Sequence, residues 1–463
     1  MASTYLTKTF AQAGNRRTFT ISYWIKMGQV STGADQAIMG AAQDGSNSDD
    51  LYIHTGRLNF SGYYGSTAYM VRTTAKYRDL SGWYHHVIRF DSTQSTASDR
   101  LRLYVNGEVQ TDLANNTYPS QNFQTTYINT ARLHTIGSFA IGSLPNTPFD
   151  GAMSHFHFTD GYSYGADSFG ETDSTTGIWK PKTAPSVTYG TNGYFLKFEN
   201  SASMGTDSAG SNNFTVSGTM TQLIDTPSNV FATLNPLDNF YGNTTLTEGN
   251  NTFNQTASSG NHTFIPSTLG FSSGKWYWEM KCVSNSSNSD MWYGTGITSN
   301  SSGGDNHYLG SFTNDYGVFG YSYSSGKAAT YTGGTRTDQG TSFATGDIIG
   351  VAVDCDNLAM YVHKNGVYMP DASSVTGVPT SGASRTGALF DITAPSSTTK
   401  GFYFPALCYY DVRAVVQSVN FGNGFFGTTA ITSAGSNGNG SLFEYDVPSG
   451  YYALNTKNLN TYG

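Results

Sequence analysis

Two stretches of this sequence spell the same local design, and that design leaves little freedom of fold. Ile348, Ile349, Val351 and Val353 form a short apolar run with no polar face, as in a strand covered on both sides. Asp354 to Asn357 is turn chemistry. Leu358, Met360 and Val362 then alternate with Ala359, Tyr361 and His363, the period of a two-faced strand. Asn365-Gly366 follows, a pair that tolerates positive φ at both central turn positions and so closes a tight hairpin. The first half of the chain repeats the scheme. Trp83 to Asp91 is followed by a polar turn through Asp99. Leu101, Leu103 and Val105 alternate with Arg100, Arg102 and Tyr104, and Asn106-Gly107 ends the run. Two antiparallel meanders without close repetition predict two sandwiches of one general type rather than a repeat array.

Composition supports strands over helices. The 463 residues suffice for two or three domains. Glutamate occurs at only six positions, whereas Gly (53 residues), Thr, Ser, Asn and Tyr abound, a balance suited to strands joined by many turns. Aromatic residues at 14% supply apolar surface for real cores. The net charge of −8 and the absence of any Lys/Arg run argue against a nucleic-acid partner. The N-terminus lacks the apolar core of a signal peptide, and no apolar segment is long enough to span a bilayer. Membrane insertion is therefore not expected, and any work outside a cell would follow release by lysis. Cys282, Cys355 and Cys408 read as buried free thiols. Further strands are expected over 17–28, 38–45, 51–54, 57–63, 149–158, 193–199, 275–281, 293–297, 316–323, 402–409 and 415–421. Residues 450–454 are expected to dock, with the last residues loosely held.

Gly82-Trp83-Tyr84-His85, Leu103-Tyr104-Val105-Asn106-Gly107, Thr18 to Trp24 and Phe149-Asp150-Gly151 together resemble the laminin-G/pentraxin group of concanavalin A-like sandwiches. Gly274 to Glu279, Gly294 to Ile297, Tyr316-Gly317, Gly346 to Val351, Val362 to Gly366 and Phe404-Pro405-Ala406, in that order, resemble a SPRY domain. The resemblance implies an all-β chain of two concanavalin A-like antiparallel sandwiches. Residues 1–165 would be laminin-G-like, 166–238 a connector, and 239–463 SPRY-like with a C-terminal tail. Residues 193–217 resemble the opening strand of many laminin-G-like domains. They either return to complete the first sandwich or form a connector hairpin.

The two domain types in this order, joined through Gly170 to Asp173 and Gly177 to Pro181, resemble virion proteins of tailed phages, many from marine and cyanobacterial viruses. That resemblance implies a virion location, assembly in the host cytoplasm and release by lysis. It also implies other tail or capsid proteins as partners, a homo-oligomer in the particle, and a host-surface polysaccharide or protein as target.

Catalysis has little support. Retaining glycosidases of concanavalin type need carboxylates along one strand face, and no Glu-x-Asp-x-Glu string occurs. Neither a phosphate-binding Gly-rich loop nor a Gly-x-Ser-x-Gly elbow is present. His155 and His157 have the spacing of a two-histidine metal edge, or are packed side chains. Asp44, Asp49 and Asp50, within Asp44 to Asp50, offer oxygen ligands for calcium at a loop rim, or form a polar turn. Tyr63, Tyr64, Tyr162, Tyr164, Tyr321 and Tyr323 lie near Gly and Ser turns, where flat rings can stack on sugars while neighbouring polar groups take the hydroxyls; alternatively they fill strand faces. The expectation is a non-enzymatic binding module. It would serve as a tail-fibre or receptor-binding appendage, with head decoration and polysaccharide depolymerisation as the alternatives. Neither heptads nor a short regular repeat is present, which favours a compact appendage over a long shaft.

Overall fold

The computed structural model describes residues 4–29, 33–174, 177–239, 244–256, 262–286, 293–301, 307–320, 326–410 and 414–463. The chain divides into two compact units, Met1–Ser228 and Asn229–Gly463. The stretch expected as a connector is thus shared out: 166–228 belongs to the first unit and 229–238 to the second.

In chain order the strands of unit 1 are β1 (Tyr5–Thr9), β2 (Thr18–Met27), β3 (Asp35–Asp44), β4 (Asn47–His54), β5 (Arg57–Tyr64), β6 (Thr67–Thr73), β7 (Tyr84–Asp91), β8 (Leu101–Val105), β9 (Glu108–Val109), β10 (Leu113–Thr117), β11 (Leu133–Ile136), β12 (Gly151–Asp160), β13 (Gly170–Thr172), β14 (Trp179–Pro181), β15 (Tyr194–Leu196) and β16 (Thr215–Ser217). They form an eight-stranded sheet, β10-β6-β5-β4-β3-β11-β1-β16, a six-stranded sheet, β15-β12-β2-β7-β8-β9, and the small pair β13-β14. β15 pairs with β12 and β16 with β1, so 193–217 adds one strand to each sheet of this sandwich. One core joins the sheets: Phe60 and Tyr69 from the larger meet Phe19 and Phe90 from the smaller at ring distances of 5.8–6.4 Å.

Unit 2 contains β17 (Thr244–Thr247), β18 (Thr252–Gln255), β19 (His262–Pro266), β20 (Lys275–Asn285), β21 (Tyr293–Thr298), β22 (Tyr316–Phe319), β23 (Ala328–Thr332), β24 (Thr335–Gln339), β25 (Ile348–Asp354), β26 (Ala359–Lys364), β27 (Val367–Tyr368), β28 (Phe390–Asp391), β29 (Phe404–Tyr410) and β30 (Val415–Asn420). The path β17-β18-β30-β20-β25-β26-β27 forms one sheet, and β19-β29-β21-β22-β23-β24 the other. Trp278 of β20 crosses the core and donates from its indole to Thr295 Oγ1 of β21 at 3.2 Å. β25 is buried along its whole length, as its unbroken apolar run requires. The molecule is thus all-β, two antiparallel β-sandwiches. Among the described residues no helix is long and apolar enough to cross a membrane.

The two Asn-Gly turns close their hairpins identically. Asn106 and Gly107 have φ of 49° and 89°, and Asn365 and Gly366 have 49° and 83°. Each Asn side chain also accepts the backbone N–H that opens the preceding strand region, His85 for Asn106 and Ile348 for Asn365, both at 2.8 Å. Leu358, expected inside the alternating strand, instead takes φ 59° in the turn before β26.

The C-terminal end differs from expectation. Tyr452–Ala453 pairs in parallel with β20. Beyond it, Thr456–Tyr462 is a helix rather than a loose tail. Asn455 caps it by accepting the Asn458 N–H at 2.9 Å, and the Tyr462 ring stacks on Tyr452 at 3.6 Å. All three cysteines are buried and unbridged.

Candidate functional site

The site is built by the period of two on β4 and β5. Leu51 and Ile53 of β4, with Leu58 and Phe60 of β5, face the core. Ser48, Asp50, Tyr52 and His54 then point outward. Register brings Ser61 opposite Asp50, Asn59 opposite Tyr52 and Tyr63 opposite Ser48. The outer face of the eight-stranded sheet therefore collects polar and aromatic groups in rows.

These rows floor a cleft of about 210 Å³ whose lining includes Asp35, Ser48, Asp50, Tyr52, Ser61 and Tyr63. Tyr52 meets Phe139 edge-on at 5.5 Å, and with Ala37 and Ile141 they form a small apolar cluster on this face. Asp35 closes one end through a hydrogen bond with His54, Oδ1 to Nδ1 2.7 Å. Across the face Arg72 Nε donates to Asn59 Oδ1 at 3.0 Å, and Asn59 Nδ2 donates to Ser61 Oγ at 3.3 Å.

Asp50 stands out chemically. Its Oδ2 accepts from Ser48 Oγ at 2.5 Å, while its Oδ1 is buried with no hydrogen-bond partner. The residue is only 9% exposed. Burial pushes its carboxyl up to about 7, with the charges of Asp49 and Asp35 adding to the rise and the Ser48 hydrogen bond opposing it. Gly40, its partner on β3, leaves the room it occupies, since a Cβ there would come within 3.0 Å of Asp50 Oδ1.

The three aspartates expected to share a calcium ion do not converge. The polar string is a hairpin: Asp44 ends β3, and Asp49 and Asp50 lie on β4, where neighbouring residues face opposite sides. Asp44 Oδ1 accepts from the Ser46 N–H and Asn47 Nδ2, which holds its carboxyl below the usual range. Asp49 is fully buried, and protein donors take both of its oxygens. The Tyr64 and Tyr69 hydroxyls bind Oδ1; the Tyr127 and Ile128 N–H groups bind Oδ2 at 2.7 and 3.0 Å. It organises a loop from inside the sandwich. Among the described residues no group of three His, Cys, Asp or Glu side chains is arranged to hold a metal.

His155 and His157 are separated by an irregularity in β12, where the register to β2 shifts and His155 takes φ 47°. Both rings lie against Phe195, at 5.9 and 3.8 Å, and burial lowers both from the usual imidazole range.

The expected tyrosines scatter. Tyr63, 40% exposed, lines the cleft. Tyr64 turns the other way, its hydroxyl committed to Asp49. Tyr162 and Tyr164 stack at 6.1 Å, 15° from parallel, away from the residues lining the cleft, and the Tyr164 hydroxyl accepts the Thr188 N–H at 2.9 Å. Tyr321 and Tyr323 lie outside the described residues. Ser48, Tyr52 and Ser61 were not anticipated; the signal for them was the alternation of Asp50, Tyr52 and His54 with Leu51 and Ile53.

Residues 2–162 match the concanavalin A-like lectin/glucanases superfamily, and residues 275–401 match the SPRY domain. No curated protein matches the chain. Among solved structures, the SPRY domain of human HERC1 is 13% identical, with 40% of this chain and 96% of that one covered and a TM-score of 0.27. A heptameric SAP-like pentraxin from Limulus polyphemus is 14% identical, with 47% and 96% covered and a TM-score of 0.29. Both domain types are commonly non-catalytic binding modules. The chain thus carries a laminin-G-type, concanavalin A-like domain in its first unit and a SPRY domain in its second.

Proposed function

We propose that this chain is a non-enzymatic virion protein that adheres to a host-surface glycan through the outer face of its eight-stranded sheet. The observation that carries the glycan reading is the cleft at Asp50. It combines a buried carboxyl whose Oδ1 lacks a partner, the hydroxyls of Ser48 and Ser61, and the rings of Tyr52 and Tyr63. Sugars ask for that mixture, with hydrogen-bonding groups for the hydroxyls and flat apolar surface for the ring faces. The virion setting is supported by the order of the two domain types, which resembles that of tailed-phage virion proteins. A tail-fibre or receptor-binding appendage, assembled with other virion proteins as a homo-oligomer, follows from this reading.

Titration of the full chain with polysaccharide from the host envelope tests it. Asp50→Leu removes both oxygens and fills the base of the cleft, and Tyr63→Ala removes an exposed ring. Each is expected to weaken binding about tenfold, the loss of one buried hydrogen bond or one stacked ring. Binding unaffected by both substitutions sinks the assignment, and release of oligosaccharide from the polymer replaces adhesion with depolymerisation. The absence of heptads and short repeats favours a second reading, a compact decoration of the head. Antibody labelling of intact particles separates the two: label over the whole capsid rejects the tail location.

A further inference from the structure

Unit 2 holds a second cleft, of about 290 Å³, lined by His363, Gly366, Tyr368, Glu444, Tyr445 and Asp446. The Asn365-Gly366 hairpin supplies one wall and the C-terminal segment the other. A buried carboxyl group, that of Glu279, which burial pushes up to about 7, fixes the second wall. Glu279 accepts the backbone N–H groups of Glu444 and Tyr445, each at 2.8 Å, and the Tyr277 hydroxyl at 3.0 Å. His363 Nε2 lies 2.6 Å from that same hydroxyl, while His363 Nδ1 accepts the Gly366 N–H at 3.1 Å. Because Nδ1 accepts, the ring proton sits on Nε2 and donates to Tyr277, which in turn donates to Glu279. Burial lowers His363 to about 4, so it brings no positive charge to the cleft at neutral pH.

The walls are aromatic and the rim is acidic. His363 meets Tyr368 and Tyr445 edge-on at 5.3 and 5.4 Å, and the Tyr368 hydroxyl is buried without a hydrogen-bond partner. One oxygen of each rim carboxylate is anchored. Glu444 Oε2 accepts the Thr432 N–H, and Asp446 Oδ1 accepts the Ser436 N–H, each at 2.6 Å. The second bond holds Asp446 below the usual carboxylate range, so it is an anion at neutral pH. Among the described residues lining the cleft there is no Lys or Arg, and His363 is neutral. Lys364, next in sequence to His363, is held by Asp347 Oδ2 and the Ser342 carbonyl, both at 3.0 Å.

We propose that this cleft binds a side-chain cation, the ammonium of a lysine or the guanidinium of an arginine, presented by a partner protein. Tyrosine rings attract a cation through their electron-rich faces, and the two carboxylates supply its counter-charge. An anion is repelled by the two rim carboxylates. A neutral sugar is better served at Asp50, where serine hydroxyls accompany a carboxyl that burial raises to about 7. The assignment stands independently of the glycan reading.

Calorimetric titration of the full chain with Nα-acetyl-lysine methylamide and Nα-acetyl-arginine methylamide tests it, with Nα-acetyl-norleucine methylamide as the uncharged control. Binding of either cation, weakening as salt is added, is expected, with no binding of the control. Asp446→Asn keeps an acceptor for the Ser436 N–H but removes the charge, and is expected to weaken binding about threefold. Tyr445→Ala is expected to weaken it about tenfold. Melting curves matching the parent establish that both variants fold; if Tyr445→Ala does not, Asp446→Asn decides. Norleucine binding as tightly as the cations, or cation affinities unchanged in the folded variants, overturns the proposal.

Discussion

Asp50 and the buried histidines pull the stability of unit 1 in opposite directions as pH changes. Asp50 is raised from 3.8 to about 7. Between those values the folded chain keeps a proton that the unfolded chain has released, so its contribution is full below 3.8 and lost as pH rises through 7. The effect is on the order of 4 kcal/mol. Asp50→Asn should therefore leave unit 1 more stable than the parent at pH 8 and equal to it near pH 4, as read from urea midpoints. The histidines act the other way. Burial lowers His85 and His86 from 6.5 to about 3, and His134 and His155 to about 4. Their contribution is intact above 6.5 and is lost as pH falls, at about 1.4 kcal/mol per pH unit for each. These four, with His157 lowered in the same way, outweigh Asp50 below 6.5, so stability should peak near neutrality and fall steeply by pH 5. A flat urea midpoint between pH 7 and pH 5 would show that these imidazoles are not held neutral.

At the level of elements, what was legible in the sequence was local. The meander around Asn365-Gly366 could be read because its periodicity and its turn residues lie within about two dozen neighbouring positions. Asn365→Ala should cost about 2 kcal/mol, from strain at φ 49° plus the lost bond to the Ile348 N–H. Asn365→Gly relieves the strain but not the lost bond, and should fall between; chemical unfolding of the two variants checks the order. Asp44 to Asp50 misleads because a run of small polar residues looks like a rim loop. Asp49 is drawn into the sandwich by the Tyr127 and Ile128 N–H groups, 78 and 79 positions further on, which no local pattern announces. The C-terminal helix is similarly hidden, since its Thr- and Asn-rich sequence is a poor helix former and depends on the Asn455 cap and the Tyr452–Tyr462 stack. The outer-face cleft was half legible: Tyr63 was singled out for stacking on a sugar and Asp50 for calcium at a loop rim, while Tyr52 lay unremarked in the expected strand 51–54.

Across the whole molecule each compact unit has its own core and its own cleft, so function can be dissected unit by unit. Val351 is fully buried at the centre of unit 2. Val351→Asp places a charge there at a cost above about 4 kcal/mol and should unfold that unit, seen as lost strand signal in circular dichroism and rapid proteolysis beyond Asn229. An intact, protease-resistant unit 2 would mean β25 is not the core strand described.

The aromatic lids over the Asn-Gly turns bear on how the chain can be engineered. Trp179 lies 3.1 Å from where a Gly107 Cβ would stand, and Tyr445 lies 2.8 Å from the Gly366 position. The Gly333-Gly334 turn between β23 and β24 likewise has positive φ at both positions, 55° and 78°, but is bare: Gly333 has no atom within 4 Å of its Cβ position, and Gly334 has only the Ser311 carbonyl at 3.7 Å. An epitope or fluorophore tag spliced into 333–334 would ride outside the sandwich, whereas the same tag at 365–366 would lever Tyr445 out of its seat. The Gly333-Gly334 hairpin is thus open to display, whereas the tips of the two Asn-Gly hairpins are closed to cargo.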